Sequence, residues 1–295
     1  MGFINVSTPP GSPYVRHLQL HRPPVNAFSE EFWQEYGATL DDLASLKEDV
    51  RAVVISSALP NIFTAGIDFQ GLKSLAPTPT DPARTAHRLH THIHTFQHAI
   101  SAPERCPFPV IAAVHGAVLG LGVDLVSACD VRWAAEGAWF AVKEIDLALA
   151  ADIGTLARLP KAAGNQSLVR ELAFTGRAFG AGEAVAAGFV SRVVPNGGKG
   201  SAGRDAVVRA ALGLAAEIAA KSPVAVAGTK RLLLHARDHS VHDNLEYTAA
   251  WNAAMLQTED LKLAVEAASK RGKNKPKEKA EAGGPSPFRA LRGKL

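Results

Sequence analysis

Between Val110 and Lys161 the chain reads VIAAVHGAVLGLGVDLVSACDVRWAAEGAWFAVKEIDLALAADIGTLARLPK. An apolar run is broken by glycines at 116, 120 and 122, resumes as a short helical stretch, and is followed by a second apolar run. The pattern predicts a strand over Pro109–His115, a helix over Leu121–Ala128 and a strand over Asp130–Ala134. Strands joined through a helix in this way call for an α/β fold with parallel pairing. The same stretch carries Asp124, Glu144 and Asp152 among apolar neighbours. Burying a carboxylate costs free energy unless it is paired or neutralised. Three of them beside a glycine turn suggest acid/base chemistry next to an anion-stabilising backbone.

The rest of the chain extends the pattern and then changes it. Val15–His21 alternates as a strand does, Ser29 is placed to cap a helix running to about Lys47, and Arg51–Ser57 is a β-branched run typical of a buried strand. A helix is predicted from Pro82 to Ala102. After Val194 a glycine-rich loop leads into segments with helical period only: Arg204–Lys221, Pro223–Ala236, Val241–Leu256 and Glu259–Ser269. The organisation read from this is a mixed core over 1–200 with the site, a helical part over 201–268, and a basic tail over 269–295 too polar to order itself.

Composition narrows the function classes. The 295 residues are 47% hydrophobic, enough for a substantial core. No apolar window approaches the roughly 18 residues of a membrane span, so no membrane partner is expected. The start has neither a basic nor an apolar leader region, which argues against a secretory signal. Gly2 follows Met1, but Val6 stands where an acylated terminus would have Ser or Thr. The cysteines, Cys106 and Cys129, form no CxxC pair and read as reduced thiols. The net charge of +4 belongs to the tail: from Lys270 onward there are nine Lys/Arg against two Glu, leaving 23 basic against 26 acidic residues before it. A nucleic-acid function would rest on that tail alone.

Five local patterns invite a functional reading. In NIFTAGID, Asn61–Asp68, a glycine after a strand can turn the Ile67 N–H outward toward an anionic oxygen; an ordinary strand-to-helix turn explains the same residues. In HGAVLGLGVD, His115–Asp124, the glycines permit close ligand approach and the following helix offers free N–H groups. It lacks the G-x-G-x-x-G order of a dinucleotide site, and His115 reads as the end of a buried strand. Glu144 and Asp152 flank an apolar stretch, where a raised pKa would let them hold or take a proton near neutrality; a pairing of either with Lys143 or Arg158 is the alternative. His90, His94 and His98 share one helical face, but no acidic or cysteine ligand accompanies them, so they read as a solvated face rather than a metal site. Gly293–Lys294–Leu295 is similar to a peroxisomal address, with Gly in place of Ser.

From about residue 14 to 268 the chain resembles the crotonase (enoyl-CoA hydratase/isomerase) superfamily. NIFTAGIDF is similar to its first oxyanion segment and VIAAVHGAVLGLGVDL to its second. GVDLVSACDVR, VKEIDLALAADIGTLARLPK, ARDHSV and WNAAMLQTEDL fit the dienoyl-CoA isomerase subgroup. The resemblance implies a spiral core of repeated ββα units with a helical C-terminal part. It also implies isomerisation of a 3,5-dienoyl-CoA to a 2,4-dienoyl-CoA in unsaturated fatty acid β-oxidation, with no cofactor and no metal. By resemblance, Asp124, Glu144 and Asp152 are the catalytic acids, the Ile67 and Leu121 amides form the oxyanion hole, and Ala65, Gly66, Asp68 and Gly120 contact the acyl-CoA substrate. A homotrimer or homohexamer is implied, located in the peroxisome, with the mitochondrial matrix or cytoplasm as alternatives. The rival readings are an enoyl-CoA hydratase using Asp124 and Glu144, and a non-catalytic RNA-associated relative using the tail. Asp at both 124 and 152 favours the isomerase over the hydratase. One departure stands out: Leu121 occupies a position that is usually Gly, and Leu disfavours positive φ.

Overall fold

The computed structural model describes residues 2–45, 47–70, 81–195, 200–273 and 286–291. The β-branched and small apolar runs form a six-stranded sheet in the order β1-β2-β3-β5-β7-β10. Its strands are β1 (Ile4–Ser7), β2 (Val15–Leu20), β3 (Ala52–Ser57), β5 (Val110–Val114), β7 (Val131–Ala135) and β10 (Arg192–Val194). Only the β1–β2 pairing is antiparallel; the other pairs run parallel, with Val15 opposite Ala52, Val53 opposite Val110 and Ile111 opposite Val131.

A second, four-stranded sheet has the order β4-β6-β8-β9 and is made of very short strands: β4 (Ile62–Thr64), β6 (Ala117–Leu119), β8 (Trp139–Ala141) and β9 (Phe179–Gly180). The chain therefore advances as a spiral. The pairs β3/β4, β5/β6 and β7/β8 each place one strand in the large sheet and the next in the small one, and a helix follows. This is the ββα repeat expected from the resemblance.

Both faces of the large sheet are covered, which is why its strands are apolar throughout. On one face Val53, Ile55, Val110, Ala112 and Val114 meet Phe32, Tyr36 and Leu40 of the helix Glu30–Ala44, within a continuous core. Ser29 caps that helix as expected, accepting from the Phe32 N–H at 3.4 Å. On the other face Val15, Ala52, Val54, Ile111 and Ala113 meet a stripe of Val207, Ala211, Ala215 and Ala219 from the helix Ser201–Ala219. The four-residue spacing puts these on one face, and three alanines allow close approach. The sequence reading ends the core at residue 200; this packing carries it to Ala219.

Beyond Ala219, Pro223–Asp238, Val241–Met255 and Glu259–Lys273 are helical. Pro223–Asp238 is pinned by Lys230, whose Nζ reaches Asp130 Oδ2 at 2.7 Å and the carbonyls of Pro103 at 2.5 Å and Phe108 at 2.9 Å. Most of the tail, including Gly293–Leu295, lies outside the described residues, as do residues 196–199 of the glycine-rich loop. Residues 286–291 are described, and they lie against the core rather than apart from it: Arg51 Nη2 donates to Phe288 O at 2.8 Å, and Arg289 pairs with Glu259 at 3.3 Å. Cys106 and Cys129 are buried free thiols. No single described helix is long and apolar enough to cross a membrane.

Candidate active site

The spiral brings the loop after β4 against the turn after β6. The first loop is tied down by buried Asn26, whose Nδ2 donates to Phe63 O at 2.9 Å and whose carbonyl accepts from Thr64 Oγ1 at 2.7 Å. Gly66 has φ +91, and a Cβ there would lie 2.7 Å from Leu119 O and 3.5 Å from Leu121 N. The two loops thus touch backbone to backbone, which only glycine permits.

This contact places the Ile67 and Leu121 amides on adjoining segments. The Phe28 and Asp68 N–H groups on either side are committed, to Gly66 O at 2.8 Å and Phe28 O at 2.9 Å. In the second turn, the Gly120 N–H donates to Ala141 O at 2.9 Å and the Val123 N–H to Gly120 O at 2.7 Å. Among the described residues, neither the Ile67 nor the Leu121 N–H donates to a protein group. Leu121 is the first residue of the helix Leu121–Ser127, where an N–H has no partner within the helix. The tension raised by a leucine at this position is resolved by its neighbour: the left-handed φ of +50 falls on Gly120, and Leu121 is helical.

These loops wall a cavity of about 160 Å³. All but one of the residues expected at the site line it: the three acids, the two amide-bearing residues, and Ala65, Gly66 and Gly120. The exception is Asp68, which is held by Arg22 at 2.8 Å and caps the Gln70 N–H at 3.0 Å. These bonds hold its carboxyl below the usual range, the backbone bond first and the arginine second.

The acids come from three segments. Asp124 is on the first turn of its helix, 1% exposed, and its Oδ1 accepts from the Thr155 N–H at 2.5 Å. Burial, reinforced by the Glu144 charge, pushes its carboxyl up to about 7. Glu144 opens a single 3-10 turn, Glu144–Leu147, that ends in Ala148 at a left-handed φ of +59. Burial raises Glu144; the Asp152 charge adds to the rise, while hydrogen bonds from backbone and from Asp124 oppose it. Among the described residues, Glu144 Oε2 is buried without a hydrogen-bond partner. Asp152 is the most open of the three, yet burial still raises it, opposed first by a hydrogen bond from its own backbone and then by His92. The cations that could have neutralised these acids are engaged elsewhere. Lys143 pairs with Asp146 at 2.8 Å, and Arg158 binds Glu104 through two 2.9 Å contacts.

The arrangement therefore offers protonatable groups beside two free N–H donors in an apolar pocket, which suits proton transfer through an oxyanion. His115 takes no part. Its Nε2 pairs with Leu59 O at 2.7 Å, it lies outside the cavity wall, and burial lowers its pKa. Exposed His90 and His94 face each other at 3.2 Å, but no group of three or more His, Cys, Asp or Glu among the described residues is placed to hold a metal. Sequence reasoning missed His92, Phe69, Leu147 and Leu149, which also line the wall. The signal for His92 was available, because it lies four residues before the core residue Phe96 on the same helix.

The sequence signature of the enoyl-CoA hydratase/isomerase family matches residues 12–279. Over 259 residues the chain is 51% identical to the mitochondrial Delta(3,5)-Delta(2,4)-dienoyl-CoA isomerase of Pongo abelii, covering 87% of this chain and 76% of that protein. It is 43% identical over 257 residues to the peroxisomal Delta(3,5)-Delta(2,4)-dienoyl-CoA isomerase of Arabidopsis thaliana, covering 86% and 89%. The crystal structure of an enoyl-CoA hydratase from Bacillus anthracis superposes with a TM-score of 0.78 at 26% identity, covering 91% of this chain and 96% of that one. With the match spanning most of its length and the spiral of ββα units in place, the chain belongs to the enoyl-CoA hydratase/isomerase family, the crotonases.

Proposed function

We propose that the chain is a delta(3,5)-delta(2,4)-dienoyl-CoA isomerase of fatty acid β-oxidation. The observation that carries this reading is the presence of Asp152 in the same cavity as Glu144 and Asp124, next to the two free amides. A single-site isomerase or a hydratase can work with fewer acids; moving a proton from one end of a conjugated system to the other gives separate work to two.

The C2 proton of a 3,5-dienoyl-CoA is acidified by the thioester and by the adjacent alkene. Asp152, the most open of the three acids, is suited to be ionised and to remove it. The negative charge spreads from C2 through C4 and C6 and onto the thioester oxygen. There the Ile67 and Leu121 N–H groups stabilise it more than they stabilise the neutral carbonyl. Glu144, held protonated by burial and by neighbouring charge, delivers a proton to C6 and leaves the 2,4-diene. Asp124 lies beside Glu144, whose charge adds to burial in raising the Asp124 carboxyl. One proton leaves, one arrives and no electrons are transferred, so the reaction itself calls for no redox group.

Acyl-CoA is the proposed substrate class and a homo-oligomer the proposed assembly. Relatives carry mitochondrial and peroxisomal names, and this chain is proposed to act in one of those compartments. The test is an ultraviolet assay with 3,5-octadienoyl-CoA, with crotonyl-CoA as control. Appearance of the 2,4-dienoyl thioester band supports the isomerase. Loss of the crotonyl enoyl band with no isomerisation would replace it with a hydratase.

A further inference from the structure

Asp152 lies in residues 149–154, a stretch between the 3-10 turn of Glu144 and the helix Thr155–Ala162 that forms neither helix nor strand. Ala151 and Ile153 on either side of it are buried, but among the described residues no backbone–backbone hydrogen bond reaches residues 150–153. The Asp152 carbonyl is held by a side chain instead: Gln97 Nε2, on the helix Pro82–Ile100, donates to it at 2.6 Å. Gln97 is itself well fixed. Its neighbour Phe96 stacks on Trp33 with 4.6 Å between centroids. Its own carbonyl accepts from the Ser101 N–H at 2.9 Å and from the Ser101 hydroxyl at 2.5 Å. Ser101 Oγ in turn accepts from Arg158 Nη2 at 2.7 Å. Arg158 belongs to the helix Thr155–Ala162, whose first N–H holds Asp124 at 2.5 Å. One hydrogen-bonded frame therefore runs from Asp124 through that helix, Arg158 and Ser101, and closes on Asp152 through Gln97.

We infer that Gln97 is a positioning residue for Asp152: its amide fixes the peptide from which the carboxylate hangs, and so sets where that carboxylate stands relative to Glu144 and Asp124. Because Gln97 binds the carbonyl and not the carboxylate, it places the acid without occupying the oxygens that would take a proton. The inference rests on the isomerase reading for its consequence in catalysis; the hold on Asp152 is independent of it. A reacting group displaced by about 1 Å can lose on the order of 10²-fold in rate, so a single tether on an otherwise unbonded stretch matters to the chemistry more than to the fold.

The experiment compares the full chain as wild type, Gln97→Met and Gln97→Lys. Met keeps the length of the side chain without a donor, and Lys restores a donor that can reach the carbonyl. Crystal structures of the wild type and Gln97→Met locate Asp152. Turnover of 3,5-octadienoyl-CoA in deuterated water gives C2 exchange, kcat and KM. In Gln97→Met the Asp152 carboxylate should be displaced, and C2 exchange and kcat should fall together by on the order of 10²-fold while KM changes little. Gln97→Lys should recover part of both. With an isomerising wild type, C2 exchange that is unchanged in Gln97→Met overturns the proposal, even if the melting temperature falls. So does an Asp152 carboxylate that stays in place in Gln97→Met, or a Gln97→Lys variant no more active than Gln97→Met. A displaced Asp152 in Gln97→Met, where the wild type does not isomerise the dienoyl-CoA, supports the hold of Gln97 on Asp152 and removes the isomerase reading instead.

Discussion

Glu144 Oε1 stands 3.2 Å from the point that a Cβ on Gly120 would occupy. The glycine that turns the chain into the helix of Asp124 thus also leaves the space in which the second acid sits. Its backbone, at φ +50 and ψ −117, is one that residues with a side chain avoid.

Replacing this glycine tests both roles at once. Gly120→Ala should lose roughly 1–3 kcal/mol of stability from backbone strain. It should also displace Glu144, lowering kcat by on the order of 10²-fold, with a smaller effect on KM. Thermal melting and steady-state kinetics on the same preparation separate the two. An alanine variant with wild-type kcat would show that Glu144 does not depend on this space.

The raised pKa of Asp124 has a consequence for stability. Its folded value of about 7 lies above its ordinary value of 3.8, so the folded protein holds a proton there that the unfolded chain releases. The linkage sign is then fixed: this contribution is complete below about pH 3.8 and is lost as pH rises toward 7. Asp124→Asn removes it. The melting temperature of Asp124→Asn relative to wild type should rise between about pH 4 and pH 7 and level off above that, the effect being about 1.4 kcal/mol for each unit of pKa displacement. A constant difference across that range would mean that Asp124 is ionised throughout.

The helix Pro223–Asp238 is anchored by buried Lys230. Lys230→Met would leave the Asp130 charge with only the Val110 N–H, at 2.7 Å, and two carbonyls without the Lys230 donor. The expected loss is on the order of 3 kcal/mol, read by denaturant unfolding. Asp130→Asn combined with Lys230→Met should recover part of it, because the unpaired charge is then gone. No recovery would place the cost in packing rather than in charge.

The large sheet was legible because its strands are long, β-branched runs. β2, β3, β5 and β7 fall within a residue or so of where the pattern places them. The small sheet was not, since two or three residues such as Ala117–Leu119 are too few to show an alternation. Helix Ser201–Ala219 was legible as a helix but not as part of the core, because an alanine-rich stripe does not announce the sheet it covers. At the site, Asp124, Glu144 and Asp152 could be picked out as acids in apolar sequence, while their convergence depends on the Gly66–Leu121 backbone contact, which has no local signature. Leu121 looked like a defect only because the neighbouring residue that takes the positive φ could not be identified from sequence. His92 is one of five histidines on one helix, most of them on its solvated side, and only its place four residues before the core residue Phe96 sets it apart.

The division of labour between Asp152 and Glu144 is tested most directly by following both protons in deuterated water. Wild-type enzyme with 3,5-octadienoyl-CoA should give 2,4-octadienoyl-CoA deuterated at C6. Asp152→Asn should neither form product nor exchange the C2 protons. Glu144→Gln should still exchange C2 while product formation falls by about 10²-fold or more. Substantial C2 exchange by Asp152→Asn, or C6-deuterated product from Glu144→Gln at the wild-type rate, would contradict the assignment of the two acids.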